Sequence, residues 1–133
     1  MPAPTASVIL NRSRHRLLEG HLWVYRNEIE RVEGDPAPGD AVTVRDGRGR
    51  CLAVGYWNPA SQITVRILAR GERAVDDGLL RERLAAAIAY RAHTLPTQWT
   101  CRRLVNSEAD LLPGLIVDQY GERTVFQLTT LGM

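Results

Sequence analysis

Four arginines, two histidines, a tryptophan and a tyrosine crowd into Asn11-Arg-Ser-Arg-His-Arg-Leu-Leu-Glu-Gly-His-Leu-Trp-Val-Tyr-Arg26, where Glu19 is the sole acid. Guanidinium forks match phosphate oxygens and stack on flat rings, so a basic segment beside aromatics is chemistry suited to RNA. Arg12 and Arg16, four apart, would share one helical face. The candidate RNA contacts are Arg12, Arg14, His15, Arg16, His21 and Arg26, joined by Arg66, which points outward on a later strand. The same residue types also suit a solvated helix face leading into a core strand. Trp23 and Tyr25 share one strand face and Leu22 and Val24 the other, and Trp23 is expected in the core, where most tryptophans of small barrels lie.

Other chemistry finds less support. His15, His21 and His93 are too scattered for a metal site, and no Cys-x-x-Cys supplies sulfur ligands. The two cysteines, Cys51 and Cys101, make no disulfide framework. Both are expected to be structural thiols, because neither lies near an identifiable base or helix N-terminus that would make a thiolate. Glu108 and Asp110 would point the same way in an extended segment, like paired acid and base groups. In Glu108-Ala-Asp-Leu-Leu-Pro-Gly114 they are better placed to organise a turn by accepting backbone N–H bonds. No catalytic residue and no metal ligand is expected.

Composition keeps nucleic-acid binding open without demanding it. The net charge is only +2, yet residues 1–70 hold ten Arg against seven acids, and residues 71–133 hold seven against eight. All basic residues are Arg and none is Lys. With 44% apolar residues the chain can bury a core. No apolar run reaches the length of a membrane span, and the N-terminus lacks the pattern of a signal peptide. A cytoplasmic protein with no membrane partner is expected.

The elements that must position these groups follow from turns and periodicity. Residues 1–6 read as a loose tail. Ser13 to Glu19 makes one or two helical turns stopped by Gly20, and Leu22 to Arg26 a strand. Gly34-Asp-Pro-Ala-Pro-Gly39 is a loop, after which Ala41–Arg45 alternates, with Val42 and Val44 inward and Thr43 and Arg45 outward. Asp46-Gly-Arg-Gly49 signals a hairpin. The next strand, 50–56, sets Leu52, Val54 and Tyr56 on one face and Cys51, Ala53 and Gly55 on the other, a small-residue face suited to close backbone approach. Asn58-Pro-Ala-Ser61 turns into a strand carrying Ile63, Val65 and Ile67. Such short strands with tight turns predict a small β-barrel over 7–71. Within a connecting segment, 72–94, Asp76 or Asp77 caps a helix over 76–93 with the stripe Leu80, Leu84, Ala87 and Ile88, ended at Thr94-Leu-Pro96. Strands near 102–106, 115–118 and 124–128 follow. Residues 95–133 read as the start of an incomplete α+β domain, whose unpaired apolar edge would associate with a missing neighbour or as a homodimer. The fold class is mainly β with one longer helix.

Three motifs occur in a specific order: Gly20-His-Leu-Trp-Val-Tyr25, Gly55-Tyr-Trp-Asn-Pro-Ala-Ser-Gln-Ile-Thr-Val-Arg66 and Arg103-Leu-Val-Asn-Ser-Glu-Ala-Asp-Leu-Leu-Pro-Gly-Leu-Ile-Val-Asp118. From about Val8 onward the chain resembles the N-terminal part of bacterial class I S-adenosylmethionine-dependent methyltransferases that make 5-methylcytosine in 23S ribosomal RNA. The resemblance implies a PUA-like β-pseudobarrel, the start of a central β/α/β domain, and a Rossmann-like transferase domain that these residues do not contain. It implies RNA, 23S rRNA in particular, as partner and S-adenosylmethionine as cofactor of the full-length family, in rRNA processing. No Gly-x-Gly-x-x-Gly opens a helix here, and Gly47-Arg-Gly49 sits in a hairpin. This chain alone is therefore expected to hold no cofactor and to be inactive. Two further readings remain: a free-standing PUA-type RNA-binding or ribosome-associated module, and a barrel whose arginines meet acidic side chains of another protein.

Overall fold

The computed structural model describes residues 4–11 and 15–133. They form two compact units that divide at Val75/Asp76.

The first unit is a curled six-stranded sheet built from β1 (Ser7–Leu10), β2 (Trp23–Tyr25), β3 (Ile29–Glu33), β4 (Ala41–Arg45), β5 (Cys51–Trp57) and β6 (Ile63–Arg70). The strand order is β2-β6-β5-β4-β1-β3. Only β1 and β4 run parallel, with Val8 opposite Val44; the other pairs are antiparallel. A short helix, α1 (His15–Leu18), precedes β2. The mainly β, half-barrel character matches the sequence expectation.

The inner face of the sheet gathers Val8, Leu10, Leu17, Val24, Val42, Val44, Ala53, Trp57, Val65 and Ile67. Each fully buried valine or isoleucine contributes about 1.5–3 kcal/mol relative to exposure. Val42 and Val44 point inward as their alternation requires, and Thr43, expected to face water, is buried too. Asp46 fixes the hairpin after β4: its Oδ1 accepts the Arg48 and Arg50 backbone N–H groups, each at 3.0 Å. Gly55 answers the expectation of a close backbone approach. A Cβ there would lie 2.4 Å from the Arg66 carbonyl oxygen, so β5 and β6 could not keep this register with a larger residue.

Several expectations change. Ala6, assigned to a loose tail, is buried, and its carbonyl accepts the Thr43 N–H at 3.0 Å. The strand expected over 22–26 spans only Trp23–Tyr25, because residues Arg26–Glu28 form a 3-10 turn. Glu28 closes that turn by accepting the Tyr25 N–H at 2.8 Å. β1 and β3 carried no local signal strong enough to be read. They pair with each other across some twenty intervening residues, and β3 is exposed along most of its length as an edge strand.

The second unit holds α2 (Asp77–Thr94) and an antiparallel meander of β7 (Cys101–Asn106), β8 (Leu115–Tyr120) and β9 (Arg123–Leu128). Asp76 is the N-cap, accepting from the Leu79 N–H at 2.8 Å, as the favoured chemistry of that position requires. Ala87, Leu80 and Leu84 pack with Val105, Leu112, Leu115 and Val117. Ile88, expected on that stripe, is 47% exposed. The buried line runs i, i+4, i+7 from Leu80 and passes on to Arg91 rather than to Ile88. Every residue of β9 is exposed, Phe126 and Leu128 by about two thirds. Among the described residues no helix is long and apolar enough to cross a membrane.

Candidate nucleic-acid interface

The β2 backbone sorts its short sequence cleanly. Val24 enters the core with no exposure, so Trp23 and Tyr25 must project from the opposite face, where both are half-buried. Trp23 is thus not a core residue, because neighbouring strand positions cannot share a face. The two rings meet edge to face, with centroids 6.4 Å apart.

Arginines from other elements complete this face. β2 pairs with β6 so that Trp23 lies opposite Arg66, and the Arg66 guanidinium stands 5.8 Å from the centre of the Trp23 ring. Arg16, on α1, places its guanidinium 5.0 Å from the centre of the Tyr25 ring and 3.8 Å from Glu28 Oε1. The result is a row, Arg66, Trp23, Tyr25, Arg16, in which two edge-to-face rings are flanked by a cation at each end. Such contacts contribute about 0.5–1 kcal/mol each at exposed sites.

The remaining candidates stand nearby or outside the described residues. Arg26 is exposed, and its Nη2 donates to the Pro59 carbonyl in the loop before β6. His21 is exposed and follows α1, its backbone N–H donating to the Arg16 carbonyl at 3.1 Å. Arg12 and Arg14, together with the side chain of His15, lie outside the described residues. The sequence reading missed Arg70, which donates to the Leu17 carbonyl at 2.5 Å and the His21 carbonyl at 3.3 Å. It ties the α1 turn to the end of β6, and nothing local in Ala69-Arg70-Gly71 foretells a partner some fifty residues away.

Potential catalytic groups find structural work. Burial pushes the Cys51 thiol above its ordinary value, and its Sγ donates to the Gly71 carbonyl at 3.4 Å. A thiol so disposed is a poor thiolate nucleophile. Cys101, expected to be structural, is instead exposed at the start of β7. Asp110 Oδ2 accepts the Asn106 N–H at 2.6 Å and the Arg91 Nη2 at 2.7 Å, so it organises the turn as the sequence suggested. Glu108 works differently: it accepts from the Ser107 hydroxyl at 2.5 Å, and that hydroxyl accepts the Gly114 N–H at 2.9 Å. Among the described residues no group of His, Cys, Asp and Glu could hold a metal ion. Gly47 and Gly49 belong to a hairpin, and the N-terminus of α2 is already capped by the Asp76 carboxylate.

Residues 8–70 match the family model described as a PUA-like domain. The ribosomal RNA large subunit methyltransferase I of Tolumonas auensis is 36% identical over 131 residues, covering 96% of this chain and 33% of that protein. The protein of the same name from Aeromonas hydrophila is 37% identical over 131 residues, again 96% and 33%. A solved structure described as a candidate SAM-dependent methyltransferase from Streptococcus mutans superposes with a TM-score of 0.77 at 12% identity, covering 94% of this chain and 33% of that one. The chain thus spans about a third of the length of the curated relatives it matches. It carries a PUA-like domain and is homologous to ribosomal RNA large subunit methyltransferases I.

Proposed function

We propose that these residues are the RNA-binding and substrate-positioning part of an S-adenosylmethionine-dependent ribosomal RNA large subunit methyltransferase that modifies cytosine C5 of 23S rRNA in the cytoplasm. Cofactor binding and methyl transfer belong, in this reading, to sequence outside these 133 residues. The observation that carries it is the row Arg66, Trp23, Tyr25, Arg16 on the outer face of β2 and β6. Its guanidinium edges suit phosphate oxygens, and its rings suit unstacked bases. His21 and Arg26 are exposed near this row, and Arg12, Arg14 and His15 belong to the same basic segment of the sequence.

The test is salt-dependent binding of a structured 23S rRNA fragment to the purified chain. Replacing Arg16 and Arg66 together with Ala should weaken binding about tenfold or more and flatten the salt dependence by about two phosphate contacts. Circular dichroism should show the sheet intact, since neither side chain enters the core. Unchanged affinity in that folded variant would remove this face from the RNA interface. Absence of salt-dependent RNA binding in the unmodified chain would overturn the reading itself and favour contact with an acidic protein surface.

A further inference from the structure

A second surface, wholly within the second unit, has the composition of a seat for a nucleotide. Where α2 ends, the 96–99 turn reverses the chain into β7, closed by the Trp99 N–H donating to the Pro96 carbonyl at 3.1 Å. The end of the helix, the turn and the strand enclose an open groove of about 460 Å³. Its walls present Tyr90, Arg91, Trp99, Arg102, Arg103 and Asn106. Tyr90 is 62% and Trp99 53% exposed.

Charge in this groove is of one sign. Three arginines line it and no acid does. Two of them are held rigid from behind. Asp110 grips Arg91 through both terminal nitrogens, and Asp118 grips Arg103 through Nε at 2.8 Å and Nη2 at 3.0 Å. Arg91 also lies over the Tyr90 ring, 5.3 Å from its centre. Arg102 uses only Nε, donating to Gln119 Oε1 at 2.9 Å, which leaves its two terminal nitrogens without a protein partner among the described residues. Asn106 adds a side-chain amide that could read a base edge. Exposed rings beside oriented guanidinium groups, in a groove of small-ligand size, are what an unpaired nucleotide requires: a π-face to stack on and N–H donors for its phosphate.

We propose that this groove binds an unpaired nucleotide of RNA, with Trp99 stacking on the base and Arg102 contacting the phosphate. The proposal rests on the reading of the chain as an RNA-binding protein, but it concerns residues separate from the row on β2 and β6. A duplex cannot offer a free base face, so the groove selects single strands or the unpaired positions of a structured RNA.

The experiment compares the whole chain with its Trp99→Ala, Trp99→Phe and Arg102→Ala variants. Fluorescence anisotropy is read with a single-stranded RNA of about ten nucleotides and with the same sequence as a duplex. Trp99→Ala should weaken single-strand binding about fivefold or more and leave duplex binding unchanged. Trp99→Phe should restore most of the loss, which a merely structural defect would not do. Arg102→Ala should weaken single-strand binding and lower its salt dependence by about one contact. Single-strand affinity unaltered by Trp99→Ala overturns the groove. If the Arg16 and Arg66 double variant still loses binding in that case, the proposed function survives without it. If neither set of variants changes RNA affinity, both fall.

Discussion

Arginine does two different jobs in the two units, and the difference lies in what stands beside it. On the outer face of the first unit Arg66 and Arg16 lie against Trp23 and Tyr25. In the second unit Arg91 and Arg103 are gripped by Asp110 and Asp118. Arg91 and Asp110 are each only 12% exposed, whereas Arg16 is 45% exposed. Arg16 also stands 3.8 Å from Glu28, and Arg91 also lies over Tyr90, so what makes Arg91 part of the frame is its paired, largely buried contact with Asp110. The frame matters more where the core is smaller. Among the described residues the first unit's main cluster packs eleven buried residues and the second unit's packs five, so the Arg91–Asp110 pair has the smaller core around it.

The largest effect that could break this comparison is Asp110→Ala. It leaves the Arg91 charge partly buried without its partner and orphans the Asn106 N–H. A loss of about 3 kcal/mol is expected, read as a lower urea midpoint for the second unit with the first unit unchanged. A loss below about 0.5 kcal/mol, the level of an ordinary surface pair, would show that Arg91 is no more structural than Arg66.

Acid should act next, and in the same direction. The Arg103 guanidinium, hydrogen-bonded to Asp118, holds that carboxyl below its ordinary value of 3.8. A carboxyl whose folded value is depressed adds stability that is fully present above the ordinary value and is lost as pH falls from there through the lowered one. As pH falls below about 4, the protection of β7 and β8 amides relative to their intrinsic exchange should drop before that of β4 and β5. Arg103 is 46% exposed, so the effect is smaller than that of removing Asp110. Simultaneous loosening of both units would show that this pair does not set the difference.

The smallest effect concerns β9, which is exposed throughout and has one unpaired edge. Its amides should exchange faster than those of β5 at neutral pH. Val125, Phe126 and Leu128 give that strand an apolar surface, and open edges of this kind pair with a second copy when crowded. A modest rise in β9 protection with protein concentration, matched by light scattering, is therefore expected. Protection of β9 equal to that of β5 in a dilute monomer would remove the second unit's claim to be the looser one.

The parts legible in the sequence were those whose cause is local. Alternation placed Val42 and Val44 inward, because successive strand residues must face opposite sides. Asp46-Gly-Arg-Gly49 announced its hairpin, since an aspartate can satisfy the backbone of the turn it begins. Asp76 capped α2 for the same reason. The cluster of arginines and aromatics around residues 12–26 was visible as composition, but its arrangement was not. Whether Trp23 faced the core or water depended on Val24 winning the inner face. Arg66 reached Trp23 through a strand pairing more than forty residues apart in the chain. Likewise β1 and β3, the grip of Asp110 on Arg91 and the groove beside Trp99 exist only once distant segments meet.

The residues by themselves determined that this chain makes short strands, a capped helix and a basic, aromatic segment, because each of these follows from the chemistry of near neighbours. Tertiary structure alone decided which arginines lie on rings and which on carboxylates, because that choice is made between side chains that only the folded backbone brings together.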